Sequence, residues 1–125
     1  MADQSDRWAV LAAQAASSKK ALDPVVLAVG EVLAITDSFV IVSATNTRQV
    51  RTIADEIERQ VHEAGGPKPL RVEGLDDLHW VLLDYGDFVV HVFLQETREY
   101  YELERLWSDV PRIEWEESSV RSSRA

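Results

Sequence analysis

Two rhythms of apolar and polar residues run along this chain, one with the period of a helix and one with the period of a strand. Between Ser5 and Lys20, Trp8, Leu11, Ala12 and Ala15 recur every three or four residues, and Ser5 is the expected N-cap of that helix. Leu22-Asp23-Pro24 ends the pattern, because proline disfavours helix in the residue before it. "VVLAV" then reads as a strand. "SFVIVSA", Ser38–Ala44, is a stronger one, rich in β-branched and aromatic residues.

Thr45-Asn46-Thr47 offers helix caps before "RQVRTIADEIERQVHEAGG". There Val50, Ile53, Ala54, Ile57 and Val61 form one apolar stripe, and Arg48, Arg51, Asp55, Glu58 and Arg59 are left for solvent. Gly65-Gly66-Pro67 is a helix stop followed by a breaker. "PLRVEG", "HWVLLD" and "FVVHVFL" read as three further strands, and "QETREYYELERLW" as a single closing helix with Leu103, Leu106 and Trp107 as its packing set.

The predicted order is helix, two strands, helix, three strands, helix. It implies an α/β (α+β) fold in which a mixed sheet of about five strands is flanked by helices. A strand, helix and strand in succession imply a crossover onto a shared sheet. The last two strands are separated by Asp84-Tyr85-Gly86-Asp87, a hairpin-length connection. Residues 1–114 are expected to form one domain, and 115–125, ending in "SSVRSSRA", a disordered polar tail.

Composition narrows the chemistry. At 125 residues and 46% hydrophobic, one domain can bury a core without staples. The absence of cysteine excludes disulfides and thiolate metal sites. No signal sequence is recognisable, and the longest apolar run, "VVLAVGEVLAI", is too short to cross a bilayer, so a soluble, cytoplasmic protein with no membrane partner is expected. The net charge of −9 is concentrated in the C-terminal part: residues 73–117 hold thirteen acids against Arg98, Arg105 and Arg112. Such a surface repels nucleic acid phosphates and attracts a basic partner, although a merely solvated acidic face has the same composition.

Catalytic readings find little in the motifs. Asp84 and Asp87 could pair on a divalent metal, as in a nucleotidyltransferase or phosphohydrolase. That chemistry needs carboxylates alternating on one strand and a glycine-containing phosphate loop. Here the two acids straddle a turn, and "SATNTRQV" holds no glycine. His91 lies between apolar neighbours, and no HxH, HxxxH, Ser-His-Asp, P-loop or GxGxxG pattern is present. No cofactor or metal is expected.

A recognition surface has better material. Alternation places Trp80, Leu82 and Asp84 on one strand face, and Tyr85 sits at the hairpin tip, where burial within the domain is not expected. Aromatic anchors ringed by charge are typical of interface centres. Composition alone leaves Trp80 open between a core position and a docking position.

"TDSFVIVSATNTRQVRTIADEI", "RVEG", "HWVLLDYGDFVVHVF" and "REYYELERLW" together resemble the ribosomal silencing factor family, also called Iojap-like proteins, in register from about Leu22 to Ile113. Ser38 stands where the family pattern has an aromatic residue, and Ala44 where its turn has glycine. The resemblance implies a nucleotidyltransferase-like fold without enzymatic activity. It also implies docking on large-subunit ribosomal protein fourteen at the inter-subunit face, which blocks joining of the small subunit and represses translation. A homodimer is possible, and no sequence-specific nucleic acid is implied. On this reading Trp80, Leu82, Asp84, Tyr85 and Asp87 contact the ribosomal protein, with Glu73, Gly86, His91, Arg98 and Tyr101 in support. The rivals are a degenerate metal-dependent nucleotidyltransferase or phosphohydrolase, and an acidic adaptor for another basic protein.

Overall fold

The computed structural model describes residues 4–116. Helix α1, Gln4–Ser18, begins before Ser5, one residue earlier than the sequence pattern placed its start. Its alanines Ala9, Ala12, Ala13, Ala15 and Ala16 are all buried; short side chains let the helix backbone lie close to the layer beneath it. Helix α2, Thr47–Glu63, starts as its sequence implies. Asn46 is the N-cap and its side chain accepts from the Gln49 amide at 2.8 Å, while Gln49 Oε1 accepts from the Thr45 amide at 3.0 Å. The stripe Val50, Ile53, Ala54, Ile57 and Val61 is buried throughout, and Gly65 at φ +89° supplies the left-handed exit.

Five strands form one sheet: β1 Leu22–Ala28, β2 Ser38–Ala44, β3 Arg71–Glu73, β4 Trp80–Asp84 and β5 Phe88–Leu94. Their spatial order is β1-β2-β5-β4-β3, with β2 and β5 parallel and every other pair antiparallel. The crossover from β2 therefore does reach the shared sheet, but the strand beside β2 is β5, and β3 lands at the far edge. The physical reason is composition: "FVVHVFL" needs partners on both sides and cover on both faces, whereas a three-residue strand ending in Arg71 and Glu73 tolerates an open edge. β1 begins three residues before "VVLAV". The helix ends at Ser18, with Lys20 left-handed at φ 66°, before proline can act on it. Pro24 is tolerated in β1 because it lies on an edge strand within a register shift between Leu22 and Val25, where a missing N–H costs no ladder bond.

The two sheet faces are covered unequally. α1 and α2 lie on one, burying Val40, Val42, Val81, Leu83, Phe88, Val90 and Val92. The other is covered by the C-terminal part of the chain, which places Leu103, Trp107 and Val110 against Leu27, Ile41, Phe93 and Phe39. That cover is not one helix as the sequence pattern implied, but α3, Gln95–Tyr101, and a short α4, Leu103–Leu106. Glu102 between them is left-handed at φ 49°, ψ 50°.

The break follows from Arg98, which is buried. Its Nη1 donates to the Leu22 carbonyl at 3.1 Å and to Ser43 Oγ at 3.2 Å, and its Nε to Glu104 Oε2 at 3.1 Å. Turning at Glu102 brings Glu104 back to Arg98. It lowers Leu103 and Trp107 onto the sheet and leaves Leu106, expected to pack, 75% exposed. Beyond it, Ala28 N donates to Pro111 O and Ile113 N to Val26 O, so the outer edge of β1 is paired. Trp115, placed in the tail by its sequence neighbours, packs against the core and donates from Nε1 to the Pro24 carbonyl at 3.0 Å. The rest of the expected tail, 117–125, lies outside the described residues.

Candidate docking surface

The C-terminal cover reaches across β1, β2, the end of β5 and the start of β4, where Tyr101 packs on Trp80. The pleat continues outward on the same face with Val89 on β5, Leu82 and Asp84 on β4, and Arg71 and Glu73 on β3, because Asp84 pairs with Val89, Leu82 with His91, and Glu73 with Leu82. Leu82 and Val89 are half-buried and belong to neither core cluster, while Glu73 and Asp87 are exposed. Leu82 and Val89 make this half-sheet a partly open apolar area, and carboxylates border it.

Trp80 stands where covered and open halves meet. Its ring lies 4.7 Å from Phe93 and 5.0 Å from Tyr101, centroid to centroid, and its Nε1–H donates to His91 Nδ1 at 3.1 Å. The residue is half-buried, so the choice between core and surface resolves as both. His91 is buried, and desolvation lowers its pKa from 6.5 to about 4, which makes it neutral. Accepting at Nδ1 then puts its proton on Nε2, which has no partner among the described residues.

Tyr85 corrects the expectation most sharply. It is 6% exposed, stacks on Phe88 at 4.4 Å and 7°, and joins the core under the helices. The hairpin tip does not carry it outward because the turn is tight. Asp84 Oδ1 accepts from the Gly86 amide at 2.9 Å, Tyr85 N donates to Phe88 O, and Gly86 sits at φ +88°. The ring therefore follows Val81 and Leu83 onto the helix-covered face.

Asp84 is correspondingly occupied: Oδ1 by that turn, and Oδ2 by Arg71 at 3.1 Å, with Arg71 also 3.5 Å from Glu73. Of the five residues expected to touch a partner, Trp80, Leu82 and Asp84 share the face, Asp87 is at its rim, and Tyr85 lies on the opposite side. Among those expected in support, Glu73 and His91 lie on the face, Gly86 shapes the turn, Arg98 is the buried clamp of the C-terminal cover, and Tyr101 leans on Trp80.

Sequence patterning did not single out Gly74. At φ +92°, a Cβ there would collide with the Trp80 carbonyl oxygen, so this glycine lets the chain from β3 pass against β4. Nor did it single out Val89 or Tyr100, the latter 80% exposed. Among the described residues, no three His, Asp or Glu groups gather to hold a metal, and no helix is long and apolar enough to cross a membrane.

A family model described as "Ribosomal silencing factor during starvation" matches residues 2–125. The chain belongs to that family. A Halalkalibacterium halodurans protein named ribosomal silencing factor RsfS is 42% identical over 106 residues, covering 85% of this chain and 90% of the relative. A mouse protein named mitochondrial assembly of ribosomal large subunit protein 1 is 37% identical over 92 residues, covering 72% of this chain and 40% of that longer protein. A crystal structure of a Chromobacterium violaceum protein superposes with a TM-score of 0.80 at 30% identity, covering 85% of this chain and 88% of that one. Family membership accounts for the same mixed five-stranded sheet.

Proposed function

We propose that this family member docks on the large ribosomal subunit through large-subunit ribosomal protein fourteen and sterically blocks joining of the small subunit, repressing translation in the cytoplasm without catalysis. The observation that carries the reading is the open half of the second sheet face. Leu82 and Val89 lie there beside the half-buried Trp80, bordered by Glu73, Asp84 and Asp87, on a chain of net charge −9. The family and the relatives' names supply the ribosome.

An apolar centre with an acidic border suits a basic ribosomal protein and is repelled by the RNA phosphates around it. With a radius of gyration of roughly 14 Å, such a body excludes a partner surface by bulk alone. The acids themselves favour recognition over chemistry. Asp84 spends both oxygens inside the fold and Asp87 is exposed beyond the turn, so the pair does not converge on a common metal.

The test is subunit joining on sucrose gradients. Wild type should shift intact ribosomes to free subunits and co-sediment with the large one. Trp80→Ala is a poor probe, since it also removes the contacts with Phe93 and His91. Leu82→Lys and Asp87→Lys change only exposed or half-exposed groups, and each should weaken co-sedimentation at least tenfold while the melting temperature stays near wild type. Ribosomes that remain joined in excess wild-type protein would refute the proposal.

A further inference from the structure

Beside the open half-sheet lies a separate cleft of about 460 Å³, lined by Asp77, His79, Trp80, Glu96, Thr97, Tyr100 and Tyr101. Its aromatic rings form a connected set. Trp80 and Tyr101 have centroids 5.0 Å apart at 50°, and Tyr101 and Tyr100 are 5.0 Å apart at 89°. Tyr101, though it packs on Trp80, is 52% exposed and Tyr100 80%, so two large rings keep much of their surface in water. Two carboxylates, Asp77 and Glu96, complete the lining.

The local charge is one-sided. No lysine or arginine lines the cleft, and Arg98, the cation of α3, is turned inward to Leu22, Ser43 and Glu104. His79 Nδ1 stands 4.0 Å from Asp77 Oδ2, and no cationic group contacts Glu96 among the described residues. Aromatic faces at steep angles with an adjacent carboxylate attract a planar cation twice over, by ring quadrupole and by charge, and a guanidinium also stacks and donates in a fork.

We propose that the Trp80–Tyr100–Tyr101 cleft is a receptor for an arginine side chain of the basic protein on which this chain docks. This rests on the docking reading above and adds a specific anchor to it. The open half-sheet supplies apolar contact, and the cleft fixes register by capturing one guanidinium. Trp80 joins the two, since its ring lines the cleft and its strand carries Leu82.

The experiment uses the full chain and purified large subunits. Tyr100→Phe keeps the ring, Tyr100→Leu removes it, and Glu96→Gln removes the charge, all at exposed positions. The expected result is wild-type co-sedimentation for Tyr100→Phe and at least fivefold weaker binding for Tyr100→Leu and for Glu96→Gln. Wild-type binding by Tyr100→Leu would overturn the cleft and leave ribosome docking intact.

If the wild-type chain does not bind large subunits, docking fails, and the cleft is judged by NMR titration with N-acetyl-arginine amide against its neutral citrulline analogue. Displacement of the Trp80 indole N–H signal by arginine alone would sustain the receptor for some other basic protein. Equal response to both probes, or none, would overturn it.

Discussion

Tyr85 and His91 show how far a residue's role depends on where the pleat turns it. Tyr85 stacks on Phe88 in the core, and its hydroxyl is buried with no hydrogen-bond partner among the described residues. Burial and the Glu58 carboxylate both push the phenol pKa well above its ordinary value. Tyr85→Phe should therefore be neutral or slightly stabilising, because it deletes an unsatisfied polar group, whereas Tyr85→Ala should cost about 3 to 5 kcal/mol by urea denaturation. If Tyr85→Ala leaves stability untouched but abolishes ribosome binding, the tyrosine is a contact residue after all.

His91 gives a pH dependence with a definite sign. Its folded pKa, about 4, lies below the ordinary 6.5, so the unfolded chain binds the extra proton first. Its neutral burial therefore favours the fold fully above pH 6.5, and that contribution is lost as pH falls toward 4, to a limit of about 3 kcal/mol. Comparing wild type with His91→Gln, whose amide oxygen can still accept from Trp80, should show the wild type losing more stability across that window. Parallel curves would mean that His91 is not neutral and buried.

At the scale of elements, the C-terminal cover is held by a few polar contacts on top of modest apolar ones. Arg98 links α3 to the β1–β2 edge and to Glu104 beyond the left-handed Glu102. Arg98→Met should cost about 2 to 4 kcal/mol, since it leaves the half-buried Glu104 carboxylate without its donor. In hydrogen exchange, α3, α4 and the β1 edge should open well before α2 and β5. Uniform opening would show that the cover is one cooperative unit with the core.

The elements themselves were largely legible from periodicity. The α2 stripe, its Asn46 cap and strands β2, β4 and β5 all follow from residues a few positions apart, which is the range over which patterning operates. The break of the closing helix was not legible, because "REYYELERLW" has good helix formers throughout. What interrupts it is the partnership of Arg98 with Leu22 and Ser43, residues 76 and 55 positions away.

At the scale of the whole molecule, Glu73, Asp84 and Asp87 border the open half-sheet, and on the docking reading proposed above that region governs association. Because carboxylates border the apolar centre, the association rate with a basic partner should fall steeply as salt rises from about 50 to 500 mM, while dissociation changes less. Stopped-flow or interferometry on immobilised large subunits would measure both rates. A salt-insensitive association rate would argue that apolar contact alone drives docking.

Local chemistry determined the element types, the mixed character of the sheet, the acidic bias, the lack of thiol chemistry and the family resemblance, because each depends on residues close in sequence or on composition. Only the tertiary structure decided which face each strand exposes. Trp80 and Tyr85 lie five residues apart on opposite faces, one beside the open half-sheet and the other beneath the helices, and strand alternation cannot say which face receives two helices and which a partial cover. The tyrosine cleft likewise exists only because α3 ends against β4, bringing Tyr100 and Tyr101 to Trp80 across some twenty residues of chain. Such meetings are set by long-range packing, which a sequence encodes collectively and no single stretch displays.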